Sequence, residues 1–324
     1  MGRGPVPLAR PLVGSPHSCA WLMSIAWVFP GQGSQKTGMA DPVLSLPGAE
    51  ERFALASRLL GRDLLAICRG EPGSDDPERH GPNDLNDTRN TQPALFVVES
   101  LIVDELRRQQ REPALVAGHS LGELVALYAA EVFDAATGLE LMLRRSELMA
   151  AAGGGAMTAV IGFDRDQLLA LVAANDAVVI ANDNSAAQVV LSGTPEAVQQ
   201  VSEQLTCKRA IPLAVSGAFH SPFMAEAAEA FASHLEAVAF EDARFPVLSN
   251  TDPTPSCDAA VLKQRLRQQM TTGVRWRDTM EAMQAASIDT VVEIGPGNVL
   301  SGLAKRSMPG VTISSLAGAA DLGL

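Results

Sequence analysis

Gly118-His119-Ser120-Leu121-Gly122-Glu123 stands between the short apolar run Ala114 to Ala117 and a helix-like run, Leu121 to Val132. In that run Leu121, Leu124, Val125, Tyr128 and Ala129 recur at helical spacing. Strand, G-x-S-x-G, helix is the context that a nucleophile elbow requires. Glycines flank the serine because so sharp a turn leaves no room for side chains. The turn lifts the Ser120 hydroxyl above a sheet and offers the Leu121 N–H to an oxyanion. A plainer reading makes these residues a Gly-bounded turn with an N-capping serine; the flanking strand and helix favour the catalytic one.

The same plan recurs on either side. Ile25 to Phe29 reads as a core strand followed by the loop Pro30 to Gly38, and Thr290 to Ile294 as a strand followed by Gly295-Pro296-Gly297 and a helix from Asn298 to Lys305. Repeated strand, Gly-rich turn and helix predict a parallel, doubly wound sheet. The first loop does not suit a phosphate: its spacing is not G-x-G-x-x-G, and Met39 stands where a Walker loop carries lysine. It leaves an amide, Gln32, at the carboxyl end of a strand, where open α/β sheets place their sites. Taken alone, Gln32 reads as a solvent-facing turn residue. Pro72 to Asn90, dense in Asp, Asn, Pro and Gly, predicts an irregular connection. Thr91-Gln92-Pro93 then opens a helix from Ala94 to Gln109, and a further helix, Ala135 to Ala151, carries Arg144 and Arg145.

Gly153-Gly154-Gly155 is the clearest boundary. From Met157 to Val215 the pattern reads β-α-β-β-α-β, the ferredoxin-like order. The expected architecture is therefore α/β: an α/β-hydrolase-like parallel-sheet core with an inserted ferredoxin-like subdomain. Its parts are a leader at 1–22, a catalytic domain at 23–153 and 217–310, the subdomain at 154–216, and a C-terminal tail at 311–324.

The 324 residues carry a formal charge of −12, which argues against non-specific nucleic-acid binding and against anionic membranes. No apolar run reaches the length of a membrane-spanning helix. Cys19, Cys68, Cys207 and Cys257 are scattered without a C-x-x-C pair, favouring a reducing compartment and no metal site. The leader, rich in Pro, Gly and Arg, reads as a disordered extension, an upstream start with Met23 as the initiator, or a targeting segment. A cytoplasmic location is expected, or an organelle stroma or matrix should the leader be a targeting segment. With no heptad pattern, a monomer is expected.

Ser120 needs a base, and the sequence offers five histidines. His17 lies in the leader, His80 in the polar connection and His234 within an amphipathic helix. His119 adjoins the serine and is expected to point away and shape the loop. His220, in the loop Phe219-His220-Ser221-Pro222 at the domain junction, is the best candidate. Ordinary α/β hydrolases run Ser, acid, then His near the C-terminus, but no histidine follows His234 and no acid stands in the expected place. A lipase or esterase is disfavoured on that ground.

Taken together, GQGSQ at 31 to 35, GHSLGE at 118 to 123, Arg145, AFHS at 218 to 221, QMTTGVRW at 269 to 276 and EIGPGNVLSGL at 293 to 303 resemble the malonyl-CoA:acyl carrier protein transacylase family. The resemblance runs from about Ile25 to about Met308. It implies Ser120 as nucleophile, His220 as base, Gln32 with the Leu121 N–H as the oxyanion hole, and Arg145 as the ligand of the malonyl carboxylate. It further implies that the Gln269 main-chain carbonyl orients His220 in place of an acid, and that Phe219 restricts the acyl group. Malonyl-CoA would be the substrate, the phosphopantetheine thiol of acyl carrier protein the acceptor, and no cofactor would be bound. A polyketide or malonate-decarboxylase acyltransferase shares these features, and a serine thioesterase is a more distant alternative. Without the resemblance Arg144 is as good a choice as Arg145. Guanidinium chemistry supports the assignment: its fork grips a carboxylate with two parallel bonds, and acetyl would leave that charge unpaired. An acidic carrier would dock on basic residues, for which Lys263, Arg265, Arg267, Arg275 and Arg277, joined by Lys208, Arg209, Lys305 and Arg306, are candidates.

Overall fold

The computed structural model describes residues 24–71, 83–215 and 217–324. The leader, His17, Cys19, His80 and most of the polar connection lie outside the described residues. Along the chain come β1 (Ile25–Phe29), α1 (Ala49–Leu60), α2 (Leu64–Arg69), α3 (Thr88–Arg108), β2 (Leu115–Gly118), α4 (Gly122–Ala129) and α5 (Ala135–Ala151). The middle of the chain holds β3 (Ala156–Phe163), α6 (Arg165–Ala173), β4 (Val178–Ser185), β5 (Gln188–Gly193), α7 (Pro195–Gln204) and β6 (Cys207–Pro212). Then follow α8 (Ala225–Glu236), β7 (Val247–Leu248), α9 (Ala259–Gln268), α10 (Trp276–Ala285), β8 (Thr290–Ile294), α11 (Val299–Ser307) and β9 (Thr312–Leu316).

Two sheets result. The larger is parallel in the order β7-β2-β1-β8-β9. Strand alternation in β1 sends Trp27 and Phe29 into the core shared with α3, α4 and α5, while Ala26 and Val28 join Trp276, Met280, Leu300 and Leu303 of α10 and α11. A parallel sheet buried on both faces needs apolar residues at successive positions, which is why β1 reads as an unbroken apolar run; β8 follows the pattern except at the buried Glu293, whose carboxylate accepts the Leu300 and Ser301 N–H groups at the start of α11. The smaller sheet is antiparallel in the order β4-β5-β3-β6, the pairing of a split β-α-β. One of its faces is closed by α6 and α7 through Val160, Leu168, Leu191, Val198 and Val201.

Two expectations need correction. The helix expected from Ala94 begins at Thr88, with Pro93 inside it. Asp87, in extended conformation, caps it by accepting the Arg89 N–H, and Pro93, the sixth residue of the helix, forgoes one backbone bond to its first turn. Residues 311–324, expected to trail as a tail, supply β9, which adds to the sheet in parallel register with β8, and a terminal turn.

Candidate active site

At the end of β2 the chain turns so tightly that a Cβ on Gly118 would lie 1.9 Å from the Gly122 carbonyl carbon, and one on Gly122 would lie 2.2 Å from the Phe29 oxygen. Ser120 takes a left-handed φ of 54°, a conformation side chains seldom adopt. The turn is held from behind by Asn250: its Oδ1 accepts the Ser120 N–H at 2.7 Å, and its Nδ2 donates to the Gly118 carbonyl. No reading of the sequence singled out Asn250, since it follows a two-residue strand far from any motif.

His220, also at a left-handed φ of 56°, reaches Ser120 Oγ with Nε2 at 2.7 Å. Its Nδ1 lies 2.9 Å from the Gln269 carbonyl oxygen. A carbonyl only accepts, so Nδ1 carries the hydrogen and Nε2 is the acceptor facing the serine hydroxyl. Burial, with the Arg145 charge adding to it, pushes the His220 pKa down to about 3, which keeps the ring neutral and its Nε2 lone pair free to accept. His119 turns the other way, as expected: its Nε2 meets Asn184 Oδ1 on β4 at 2.8 Å. His234 is exposed on α8.

Arg145 is 1% exposed, whereas Arg144 is half-exposed and pairs with Glu147 on the same helix. Of the two arginines the sequence offered, Arg145 is the one buried beside Ser120. Arg145 Nη2 donates to Ser120 Oγ at 3.1 Å, Nη1 to Gln92 Oε1 at 2.6 Å, and Nε to Gln269 Oε1 at 3.1 Å. Burial lowers its pKa to about 10, with Glu123 opposing the shift, so it stays charged at neutral pH. From Gln92 the network continues: Nε2 donates to Thr88 Oγ1 at 2.8 Å, and Thr88 Oγ1 donates to Gln32 Oε1 at 2.9 Å. The guanidinium and the Gln32 amide are therefore linked through the first turns of α3, of which Thr88 to Asn90 read from sequence as part of the irregular connection.

Ser120, His220, Arg145, Gln32, Leu121 and Phe219 all line one cavity of about 90 Å³. At roughly 30 Å³ per water in the liquid, that is room for a short acyl group. Gln32, Val215 and Phe219 also border an adjoining cavity of about 340 Å³, lined further by Asn86, Arg89, Ala150 and Ala214. Gln269 touches the site twice, by its carbonyl on His220 and its side chain on Arg145. A hydroxyl, an accepting imidazole, a cation and amide donors in one enclosure can perform acyl transfer to and from serine, with selection for an anionic acyl group. Among the described residues no cluster of His, Cys, Asp and Glu could hold a metal ion, and no helix is long and apolar enough to cross a membrane.

The basic residues near Gln269 are tied down. Arg265 pairs with Asp252, Arg267 with Glu236, Arg275 with Asp278 and Arg277 with Asp183, while Lys263 Nζ donates to the Glu236 and Val238 carbonyls. They form a mixed-charge surface rather than a bare basic patch.

Residues 26–318 match the acyl transferase domain family. The malonyl CoA-acyl carrier protein transacylase of Synechocystis sp. is 47% identical over 300 residues, covering 93% of this chain and 99% of that protein. The crystal structure of the malonyl-CoA:ACP transacylase from Synechocystis sp. PCC 6803 aligns with a TM-score of 0.87 at 46% identity, covering 93% of this chain and 99% of the other. A malonyl transacylase solved in complex with its type II polyketide acyl carrier protein aligns with a TM-score of 0.84 at 36% identity, over 92% of this chain and 97% of that one.

Proposed function

The chain belongs to the acyl transferase domain family, and from that membership we propose that it moves the malonyl group of malonyl-CoA onto the phosphopantetheine thiol of acyl carrier protein, for fatty-acid biosynthesis, through an ester on Ser120. The observation that carries the reading is a fully buried guanidinium whose Nη2 lies 3.1 Å from the same hydroxyl that His220 contacts at 2.7 Å.

Ser120 Oγ attacks the thioester carbon as His220 Nε2 takes the hydroxyl proton. The oxyanion forms against the Leu121 N–H, at the N-terminal end of α4, and the Gln32 amide. Collapse breaks the C–S bond, and CoA leaves with the proton from His220. In the second half the carrier's thiol gives its proton to His220 and its sulfur attacks the malonyl ester. Ser120 Oγ then departs and recovers the proton. No acid is required behind His220, because the Gln269 carbonyl fixes the same tautomer that an aspartate fixes elsewhere. Arg145 holds the malonyl carboxylate throughout, and Phe219 closes the wall opposite a substituent on the acyl chain.

We take the chain to act as a monomer. Residues 23–153 and 217–310 are taken as the catalytic unit and 154–216 as a subdomain closing the cleft. A polyketide carrier would use the same site, and a relative has been solved in complex with such a carrier, so the pathway is decided by which carrier protein is acylated. The reading is tested with Ser120→Ala, which is expected to transfer no malonyl group to a phosphopantetheinylated carrier. Transfer that survives this substitution overturns it.

A further inference from the structure

Arg145 carries a buried charge, yet each hydrogen bond it makes among the described residues ends on a neutral oxygen: Gln269 Oε1 from Nε at 3.1 Å and Nη2 at 3.0 Å, Gln92 Oε1 from Nη1 at 2.6 Å, and Ser120 Oγ from Nη2 at 3.1 Å. A charge so deep in a protein requires an opposite charge nearby. The acid that supplies it is Glu123, 0% exposed in the first turn of α4. It does not touch the arginine. Gln269 Nε2 donates to Glu123 Oε2 at 2.7 Å, while the oxygen of the same amide faces the guanidinium. The direction of that amide is fixed, since guanidinium nitrogens can only donate and a carboxylate can only accept. Its dipole therefore lies along the line from cation to anion. The carboxylate is also joined to the elbow, accepting the Asn250 N–H at 3.1 Å, and Asn250 in turn holds the Ser120 N–H.

We infer that Glu123 is a positioning residue for the transfer: it is the counter-charge of Arg145, held one amide away so that the guanidinium is stabilised without being occupied. The inference rests on the malonyl-transfer reading above. A carboxylate in direct contact would fill the guanidinium fork with two parallel bonds and compete with the acyl carboxylate for it. Without any counter-charge, the buried arginine would bear the full penalty of an unpaired charge. Gln269 as a spacer meets both requirements. It also has a consequence for binding. Once a malonyl carboxylate is in place the enclosure holds two anions and one cation, so Glu123 weakens the grip of Arg145 on the acyl group.

Glu123→Gln tests this, because an amide oxygen at the same position can still accept from Gln269 Nε2 and the Asn250 N–H. The measurement is the inhibition constant of free malonate against acylation by malonyl-CoA, together with the melting temperature with and without malonate. The variant is expected to bind malonate about tenfold more tightly or better, the scale of removing a like charge roughly 10 Å away at an effective dielectric constant of about 20. Its malonate-induced rise in melting temperature is expected to exceed that of the wild type. An inhibition constant that is unchanged or higher in a cooperatively melting variant overturns the inference. A second test uses Arg145→Met, which strands the Glu123 charge. Adding Glu123→Gln to it removes both charges, so the double variant is expected to melt at or above the temperature of Arg145→Met alone, and losses that simply add overturn the coupling. Wild-type protein that takes no malonyl group from malonyl-CoA refutes the malonyl reading instead, and the melting-temperature cycle still decides the pairing of Glu123 with Arg145.

Discussion

Ser120 and His220 both sit at left-handed φ, 54° and 56°, and each is pinned by groups distant in sequence, Asn250 for the first and the Gln269 carbonyl for the second. The conformation places a hydroxyl and an imidazole 2.7 Å apart with no acid behind them. Because burial drives the His220 pKa down to about 3, its neutral form persists far below the ordinary value of 6.5. A base works when unprotonated, so the rate of Ser120 acylation is expected to hold as pH falls through 6.5, with its acid limb well below. A pH profile of the single-turnover acylation rate checks this, and a limb at 6.5 would contradict it. The motif residues were legible in the sequence because turns and loops with glycine and proline expose them. Asn250 and Thr88 were not, since they act through distant partners and no local spacing marks them, and Gln92 and Glu123, though inside quoted stretches, carried no sign of their bonds to Arg145 and Gln269.

At the scale of the element, the elbow depends on two polar bonds made by Asn250, itself 1% exposed. Asn250→Ala leaves the Ser120 N–H and the Gly118 carbonyl without those partners, at a cost of roughly 1–3 kcal/mol each. The variant is expected to melt earlier and to acylate at least tenfold more slowly, which thermal denaturation and the burst amplitude with malonyl-CoA will show. Helix α3 carries the opposite kind of feature. Its Glu99 is fully buried with neither oxygen hydrogen-bonded among the described residues, and burial, with Glu293 nearby, pushes its carboxyl well above 4.5. The native state then holds a proton that the unfolded chain releases above 4.5, so stability falls as pH rises from that value towards the raised one. Glu99→Gln removes the effect: it is expected to raise the melting temperature at pH 8 and to leave it nearly unchanged at pH 4. Equal shifts at both pH values would contradict this. Periodicity placed β1 and β8 to the residue, whereas the start of α3 was misread because Pro93 suggests a first turn while the Asp87 cap lies in a polar stretch resembling loop.

For the whole molecule, the smaller sheet is stitched to the larger unit at the cleft. Val274 N–H donates to the Ala181 carbonyl at 2.7 Å, Asp183 N–H to the Val274 carbonyl at 2.9 Å, and His119 meets Asn184 at 2.8 Å beside the nucleophile. The β-α-β-β-α-β order was readable from alternation and glycine punctuation, but this stitching was not, because it joins backbone groups that sequence does not distinguish. Closure of the cleft would protect the acyl ester from water. Asn184→Ala is expected to shorten the lifetime of the malonyl-enzyme in buffer several-fold without a carrier present, as followed by the decay of the adduct mass. The central claim is that a carboxylated acyl group passes through Ser120 under the control of Arg145. Intact-protein mass spectrometry after mixing with malonyl-CoA or acetyl-CoA, then with phosphopantetheinylated carrier, tests it most directly. The account predicts a malonyl adduct on Ser120, little acetyl adduct, and loss of the malonyl mass to the carrier. Steady release of CoA without an adduct or an acylated carrier, or equal labelling by acetyl-CoA, would contradict it.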